Sequence, residues 1–112
     1  MLRLHISASS DTIRSLLVQT SDKNVEQAVY YLSYVLIDTE QRYTSIDKIC
    51  LALYFSCVKL RYSMLLIIVE VLCETGVIKY MLSRPIIKGK IAKWSLTILE
   101  FHLRYIPQKV IE

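Results

Sequence analysis

The 112-residue sequence predicts a mixed α/β domain with five strands and the element order βββ-α-β-α-α-β. Three observations predict it. The first third of the chain alternates apolar and polar residues, as half-buried strands do. From Ser45 onward, apolar residues recur at helical spacing. Further along, a short run rich in Leu, Ile and Val is typical of a strand buried on both faces.

The first three elements are predicted strands joined by short links. Leu2, Leu4 and Ile6 alternate with polar neighbours, and the small and polar residues 8–11 provide a turn. A second strand is expected over Thr12–Gln19 and a third over Gln27–Leu36, with a polar hairpin loop between them. Such an arrangement predicts an antiparallel meander.

A polar connection over Ile37–Tyr43 leads to the long helix, which is expected to run from Ser45 to about Tyr62. Its apolar positions are Ile46, Ile49, Cys50, Leu53, Cys57 and Leu60. Thr44 or Ser45 is suited to cap the first turn, and Asp47 suits the positive end of the helix dipole.

The remaining elements are shorter. A buried strand is predicted over Leu65–Cys73 and a short helix over Val77–Leu82, which the Ser-Arg-Pro sequence at residues 83–85 ends. Another helix is expected from Gly89 or Lys90 to Leu99. Alternation from Phe101 to Tyr105 predicts the last strand, which stops at Pro107.

Composition excludes several classes of protein. With 54% hydrophobic and 21% charged residues, the chain is able to build a core, and its length excludes a multidomain enzyme. Three cysteines without a Cys-x-x-Cys pair argue against a disulfide framework and fit a reducing compartment. Cys50 and Cys57, seven residues apart in the helical pattern, are expected in the core rather than as metal ligands.

No segment resembles a targeting signal or a membrane span. The N-terminus carries charge where a signal peptide would be apolar. The most apolar run, Met64–Cys73, is interrupted by Glu70, whereas a spanning helix needs about 20 residues. We therefore expect an intracellular protein, cytoplasmic or nuclear, without a membrane partner.

The positive charge is concentrated near the C-terminus. Residues 79–112 carry 7 basic and 2 acidic side chains, whereas residues 1–78 carry 7 and 8. Arg84, Lys88, Lys90 and Lys93 are candidates for contacting nucleic-acid phosphates, with Trp94 beside them as a base-stacking candidate. The alternatives are a solvated basic rim and a core tryptophan.

Longer stretches of the sequence resemble one family. They are Ala28–Ser33, Arg42–Lys48, Leu53–Phe55, Lys59–Tyr62, Glu74–Ile86 and Lys93–Lys109. In this order and spacing they resemble the ribonuclease H-like domain of gypsy-type retrotransposon polyproteins, plant members above all. The resemblance implies a mixed five-stranded sheet flanked by helices. It also implies that residues 1–112 are a single, C-terminally truncated domain from a larger polyprotein.

The family's activity is hydrolysis of the RNA strand of an RNA–DNA hybrid during reverse transcription. It requires clustered carboxylates, because two Mg²⁺ ions about 4 Å apart must be held against the scissile phosphate. Carried over by resemblance, the first acid position holds Ser7 and the second holds Ile49. Asp47 lies about 200° around the helix from Ile49's place and is not a substitute. Glu74 occupies the third position, and the fourth lies beyond Glu112.

One surviving catalytic acid, Glu74, predicts an inactive domain that binds no Mg²⁺. In some plant lineages the resembling domain is a tether between the polymerase and a second, active ribonuclease H, and the Ile-Ser-Ala-Ser start at residues 6–9 is similar to theirs. Those two domains and, weakly, an RNA–DNA hybrid or other nucleic acid are then the expected partners.

Two other functions remain open at this point. One is a residual Mg²⁺-dependent endonuclease that uses Glu74, and the other is a plain protein-interaction domain. Without a Tyr-x-Asp-Asp motif, the chain is not itself an RNA-directed DNA polymerase. Its eight tyrosines are expected either to pack across strands or to face a neighbouring domain.

Overall fold

The structure is a computed structural model that describes residues 1–23, 25–73, 94 and 96–107. Its centre is a five-stranded mixed sheet. The strands are β1 (Leu2–Ala8), β2 (Thr12–Thr20), β3 (Glu26–Val35), β4 (Val69–Cys73) and β5 (Leu103–Pro107). They lie in the order β3-β2-β1-β4-β5, with β1–β3 antiparallel and β4 and β5 parallel to β1. The predicted α/β fold and its three-stranded meander are confirmed.

The alternation in β1 and β2 decides which side of the sheet becomes the core. Leu4 and Ile6 on β1 and Ile13 and Leu17 on β2 are buried. Strand β4 lies between β1 and β5 and is buried along most of its length, as expected for a central parallel strand.

The predicted polar connection after β3 contains one turn of helix, α1 (Asp38–Gln41). The carboxylate of Glu40 organises this turn, because it accepts hydrogen bonds from the Ile37 N–H and the Tyr34 hydroxyl, both at 3.0 Å. The long helix follows as α2 (Ser45–Lys59), and a further turn, α3 (Arg61–Met64), comes after it. No helix in the described part of the chain has the length and apolar content that crossing a bilayer requires.

Two predicted boundaries, the end of the long helix and the start of the strand that follows it, were wrong. The long helix ends at Lys59 because the backbone of Leu60, at φ −109° and ψ 23°, leaves the helical region. Strand β4 begins at Val69 rather than Leu65. The intervening residues 66–68 are exposed, with Leu66 at 88%, although the sequence there is as apolar as the buried strand.

The C-terminal third is described in part. The predicted helix at Val77–Leu82 lies outside the described residues. Residues 94 and 96–98 are helical, within the predicted helix that ends at Leu99. Trp94 is buried and stacks on Tyr54 with ring centroids 6.0 Å apart, so it is a core residue. Phe101 is buried ahead of β5, which begins two residues later than predicted.

Strand β3 forms one edge of the sheet and is mostly exposed. Its tyrosines differ in exposure. Tyr30 and Tyr31 are exposed, whereas Tyr34 packs against Phe55 of α2 with ring centroids 5.2 Å apart.

Candidate functional site

A cleft of about 520 Å³ opens where the end of β1 meets the first turns of α2. The turn between β1 and β2 forms its third wall and is closed by a 2.8 Å hydrogen bond from the Ser9 N–H to the Thr12 carbonyl. The residues that line the cleft are Ile6, Ser7, Ala8, Ser9, Ser10, Ser45, Ile46, Lys48 and Ile49. Four of these side chains are hydroxyls, one is an ammonium group and none is a carboxylate.

Lys48 is the charged residue of the cleft wall. It belongs to the first turns of α2 and is only 8% exposed. Its Nζ donates a 2.8 Å hydrogen bond to the Ser10 carbonyl and so joins α2 to the β1–β2 turn. A lysine this deeply buried is unusual, because removing an ammonium group from water is costly.

The N-terminus of α2 also faces the cleft, through Ser45 and Ile46. Thr44 caps the helix as predicted: its hydroxyl accepts from the Asp47 N–H at 3.1 Å and its carbonyl accepts from the Lys48 N–H at 3.0 Å. The first backbone N–H groups of a helix lack intrahelical partners and carry a partial positive charge. This wall of the cleft is therefore electropositive.

A cation also lies across the sheet from Ser7. Arg14 of β2 is the register partner of Ser7, so the two residues share a face of the sheet. Both border a second hollow, of about 280 Å³, together with His5 and Tyr31. Ser7 thus lies between Arg14 on one side and the cleft of Lys48 on the other.

Residues 1–101 match the family of the RNase H-like domain found in reverse transcriptase. The chain belongs to this family. This confirms the expected relationship to the ribonuclease H-like domain of reverse transcriptase. The plant gypsy-type origin stays a prediction.

Solved structures of a protease-reverse transcriptase and of RNase H1 share the fold. The foamy viral protease-reverse transcriptase in complex with an RNA/DNA hybrid is 17% identical, with a TM-score of 0.76 over 99% of this chain and 15% of that one. RNase H1 from the halophilic archaeon Halobacterium salinarum is 11% identical, with a TM-score of 0.60 over 96% of this chain and 86% of that one. At these identities the likeness shows the fold alone.

The lengths differ widely between the chain and its viral neighbours. Native prototype foamy virus protease-reverse transcriptase is 15% identical, with a TM-score of 0.73 over 96% of this chain, which spans 15% of that protein. A comparison with curated proteins finds no match.

The structure brings two of the predicted site residues of this RNase H-like domain together. Ser7 and Ile49 both line the cleft, Ser7 exposed at the end of β1 and Ile49 half-buried on α2. Asp47 is half-buried and is not among the lining residues. Glu74, the candidate catalytic acid, lies outside the described residues, as do the basic candidates Arg84, Lys88, Lys90 and Lys93.

The described cleft is a poor fit to the Mg²⁺ ions of the family. Divalent magnesium prefers carboxylate oxygens, and the described lining offers hydroxyls, aliphatic carbons and the positive charge of Lys48. Across the described ranges, no group of three His, Cys, Asp or Glu side chains is arranged to hold a metal ion.

The three cysteines are buried, and Cys50 and Cys57 lie in the core as predicted. Burial in apolar surroundings raises the pKa of Cys50 and of Cys57 to about 12, because the thiolate form would lose its hydration. Protonated, inaccessible thiols are weak nucleophiles. We therefore assign these residues to packing.

Sequence reasoning missed Lys48, Ser10 and Ser45 as site residues. The available indication was the position of Lys48 directly ahead of the apolar stretch that begins with Ile49 and Cys50. A single lysine in a first helical turn is ordinarily solvated, so only the contact with the Ser10 carbonyl identifies its role.

Proposed function

We propose that this chain is a non-catalytic RNase H-like domain from a plant gypsy-type retrotransposon Pol polyprotein, which contacts nucleic acid as a tether. The observation that carries the proposal is the cleft of Ser7, Lys48 and Ile49, whose described lining contains no carboxylate. The family match over residues 1–101 supports the origin in a reverse transcriptase.

The cleft chemistry favours an inactive domain. Two-metal hydrolysis requires carboxylates that hold two cations near one phosphate and neutralise their charge. The hydroxyl of Ser7 and the aliphatic side chain of Ile49 carry no negative charge, so they do not hold or neutralise such cations. Lys48 adds electrostatic repulsion against a cation. Glu74 alone would not hold two ions, so we propose that no Mg²⁺ is bound.

Nucleic acid is the proposed ligand for two reasons. The foamy viral proteins of the same fold were solved with an RNA/DNA hybrid and with double-stranded DNA. In this chain, Lys48 and Arg14 place positive charge on both sides of Ser7. Arg84, Lys88, Lys90 and Lys93 are proposed to extend the contact along the phosphate backbone.

The polymerase domain and a second ribonuclease H domain of the parent polyprotein are the proposed protein partners. The chain spans 15% of the foamy viral protease-reverse transcriptase that it resembles, which supports an origin in a longer protein. The exposed apolar side chains of β3, including Val29, Tyr30, Tyr31 and Val35, offer a surface for such a neighbour.

A cleavage assay tests the catalytic part of the proposal. The full chain is incubated with labelled RNA–DNA hybrid and Mg²⁺, and we expect no cleavage above the buffer control. Cleavage that the Glu74→Gln variant abolishes would establish the residual endonuclease instead.

A salt titration separates the tether from a plain protein-interaction domain, the function that the exposed β3 surface would otherwise favour. We expect the affinity for hybrid to fall steeply with salt concentration and to be independent of sequence, because phosphate contacts dominate. Absence of salt-dependent affinity would leave protein interaction as the better explanation.

A further inference from the structure

Lys48 is a buried cation whose charge is not balanced within the described structure. The Ser10 carbonyl takes one of its three ammonium hydrogens, and the side chain is 8% exposed. Arg3, His5 and Arg61 each contact a carboxylate, whereas no described carboxylate forms an ion pair with Lys48. Buried charges are normally paired, so an anion from outside would complete this site.

Other hydrogen-bond donors converge on the same cleft. Ser7 and Ser45 present hydroxyls that have no partner among the described residues. The backbone N–H groups of Ser45 and Ile46 begin α2 and likewise find no acceptor in the described part of the chain. Because these donors come from β1 and from the helix N-terminus, they approach the cleft from different directions.

We propose that this cleft binds a phosphate group directly, without a metal ion, with the Lys48 ammonium as its principal anchor. A tetrahedral phosphate has several acceptor oxygens and is suited to donors that converge from separate elements. The proposal rests on the proposed function, because it takes the phosphate to be a backbone phosphate of bound nucleic acid. Free inorganic phosphate shares the chemistry and serves as a probe.

The two nearest acidic residues in the sequence do not line the cleft. Asp11 accepts hydrogen bonds from the hydroxyls of Ser9 and Thr12, at 3.4 and 3.1 Å. Asp47, three residues after the cap residue Thr44, is not among the residues that line the cleft. Phosphate bound beside Lys48 therefore meets donors rather than carboxylates on the described surface.

The binding experiment compares four full-length proteins: wild type, Lys48→Met, Ser7→Asp and the control Lys59→Met. Lys59 is an exposed lysine at the other end of α2, about 16 Å along the helix from Lys48. Anisotropy of a labelled RNA–DNA hybrid is measured in EDTA over a range of salt concentrations. Circular dichroism and thermal midpoints verify that each variant is folded.

We expect wild type to bind equally well in EDTA and in Mg²⁺. Lys48→Met should weaken binding about tenfold and lower the slope of log affinity against log salt by about 0.9, the loss of one phosphate contact. Ser7→Asp, an exposed substitution, should weaken binding comparably by repulsion, and Lys59→Met less than twofold. Equal effects of Lys48→Met and Lys59→Met, or loss of binding in EDTA, would overturn the proposal.

Inorganic phosphate separates this site from the proposed function. At equal ionic strength, phosphate should raise the thermal midpoint relative to chloride in wild type and Lys59→Met, but not in Lys48→Met. If phosphate raises the thermal midpoint in this pattern but hybrid is not bound, the phosphate site is supported and the nucleic-acid function is wrong. If hybrid binds but neither Lys48→Met nor Ser7→Asp weakens it, the function holds and the site is wrong.

Discussion

Arg3 and Glu70 are register partners on the parallel strands β1 and β4, and the Arg3 Nε donates a 2.9 Å hydrogen bond to the Glu70 Oε1. Glu70 is 7% exposed and interrupts an otherwise apolar strand. The guanidinium compensates a carboxylate that the centre of the sheet would not otherwise tolerate.

Replacing Arg3 by Met should lower the free energy of unfolding by about 2 kcal/mol, because Glu70 then stays buried without its partner. Urea denaturation measures the loss. The double variant Arg3→Met/Glu70→Met should recover most of it, since neither charge remains.

Glu100→Gln provides the matched control for that ion pair. Glu100 contacts Arg61 at 2.7 Å, but their side chains are 49% and 45% exposed. Exposed pairs contribute little, so we expect a change below about 0.5 kcal/mol. An equal loss in Arg3→Met and Glu100→Gln would show that burial of Glu70 is not the cause.

Tyr105 on β5 should be replaceable by Phe with a gain in stability. Its hydroxyl is buried and has no hydrogen-bond partner among the described residues, and burial, together with the neighbouring cysteines, raises the pKa of the phenol. Removing an unsatisfied buried hydroxyl should raise the free energy of unfolding by about 1 kcal/mol. Thermal or urea unfolding checks it, and Tyr62→Phe, at a fully exposed tyrosine, should have no effect.

The helix cap is a further point where the structure makes a quantitative prediction. The Thr44 hydroxyl accepts the Asp47 N–H at 3.1 Å. Thr44→Ala should lower the free energy of unfolding by about 1 kcal/mol. Ser45→Ala is the control, because the Ser45 hydroxyl has no partner in the described structure and should matter little. If both variants lose the same stability, the cap hydrogen bond is not responsible.

Periodicity in the sequence predicted most of the fold, and its failures have a physical cause. The alternation at Leu2, Leu4 and Ile6 was sufficient for β1, because one face is buried and the other is not. The apolar run before β4 was misassigned because apolar composition does not distinguish exposed Leu66 from buried Val69. The end of α2 at Leu60 has no Gly or Pro to mark it.

The candidate site could be predicted only in part. Ser7 and Ile49 were placed by resemblance to a family, and both line the cleft. Lys48 was not found, because its burial depends on the Ser10 carbonyl, 38 residues away in the sequence. Contacts between such distant segments are fixed by the tertiary fold and leave no local pattern.

The buried thiols predict how stability depends on alkaline pH. Burial raises the pKa of Cys50 and of Cys57 from the ordinary 9.0 to about 12. Between these values the unfolded chain releases protons that the folded chain retains, so folding stability falls as pH rises above about 9. Below that pH the contribution is fully present. Each thiol adds at most about 1.4 kcal/mol per pH unit to the slope.

Urea unfolding at a series of pH values from about 8 to about 10.5 measures that slope. Wild type is compared with the variant Cys50→Ala/Cys57→Ala, which lacks the two buried thiols. The variant is expected to be less stable at every pH, because it loses packed atoms, but its stability should decline less steeply. Parallel declines in the two proteins would mean that the thiols are not the groups whose ionisation opposes folding.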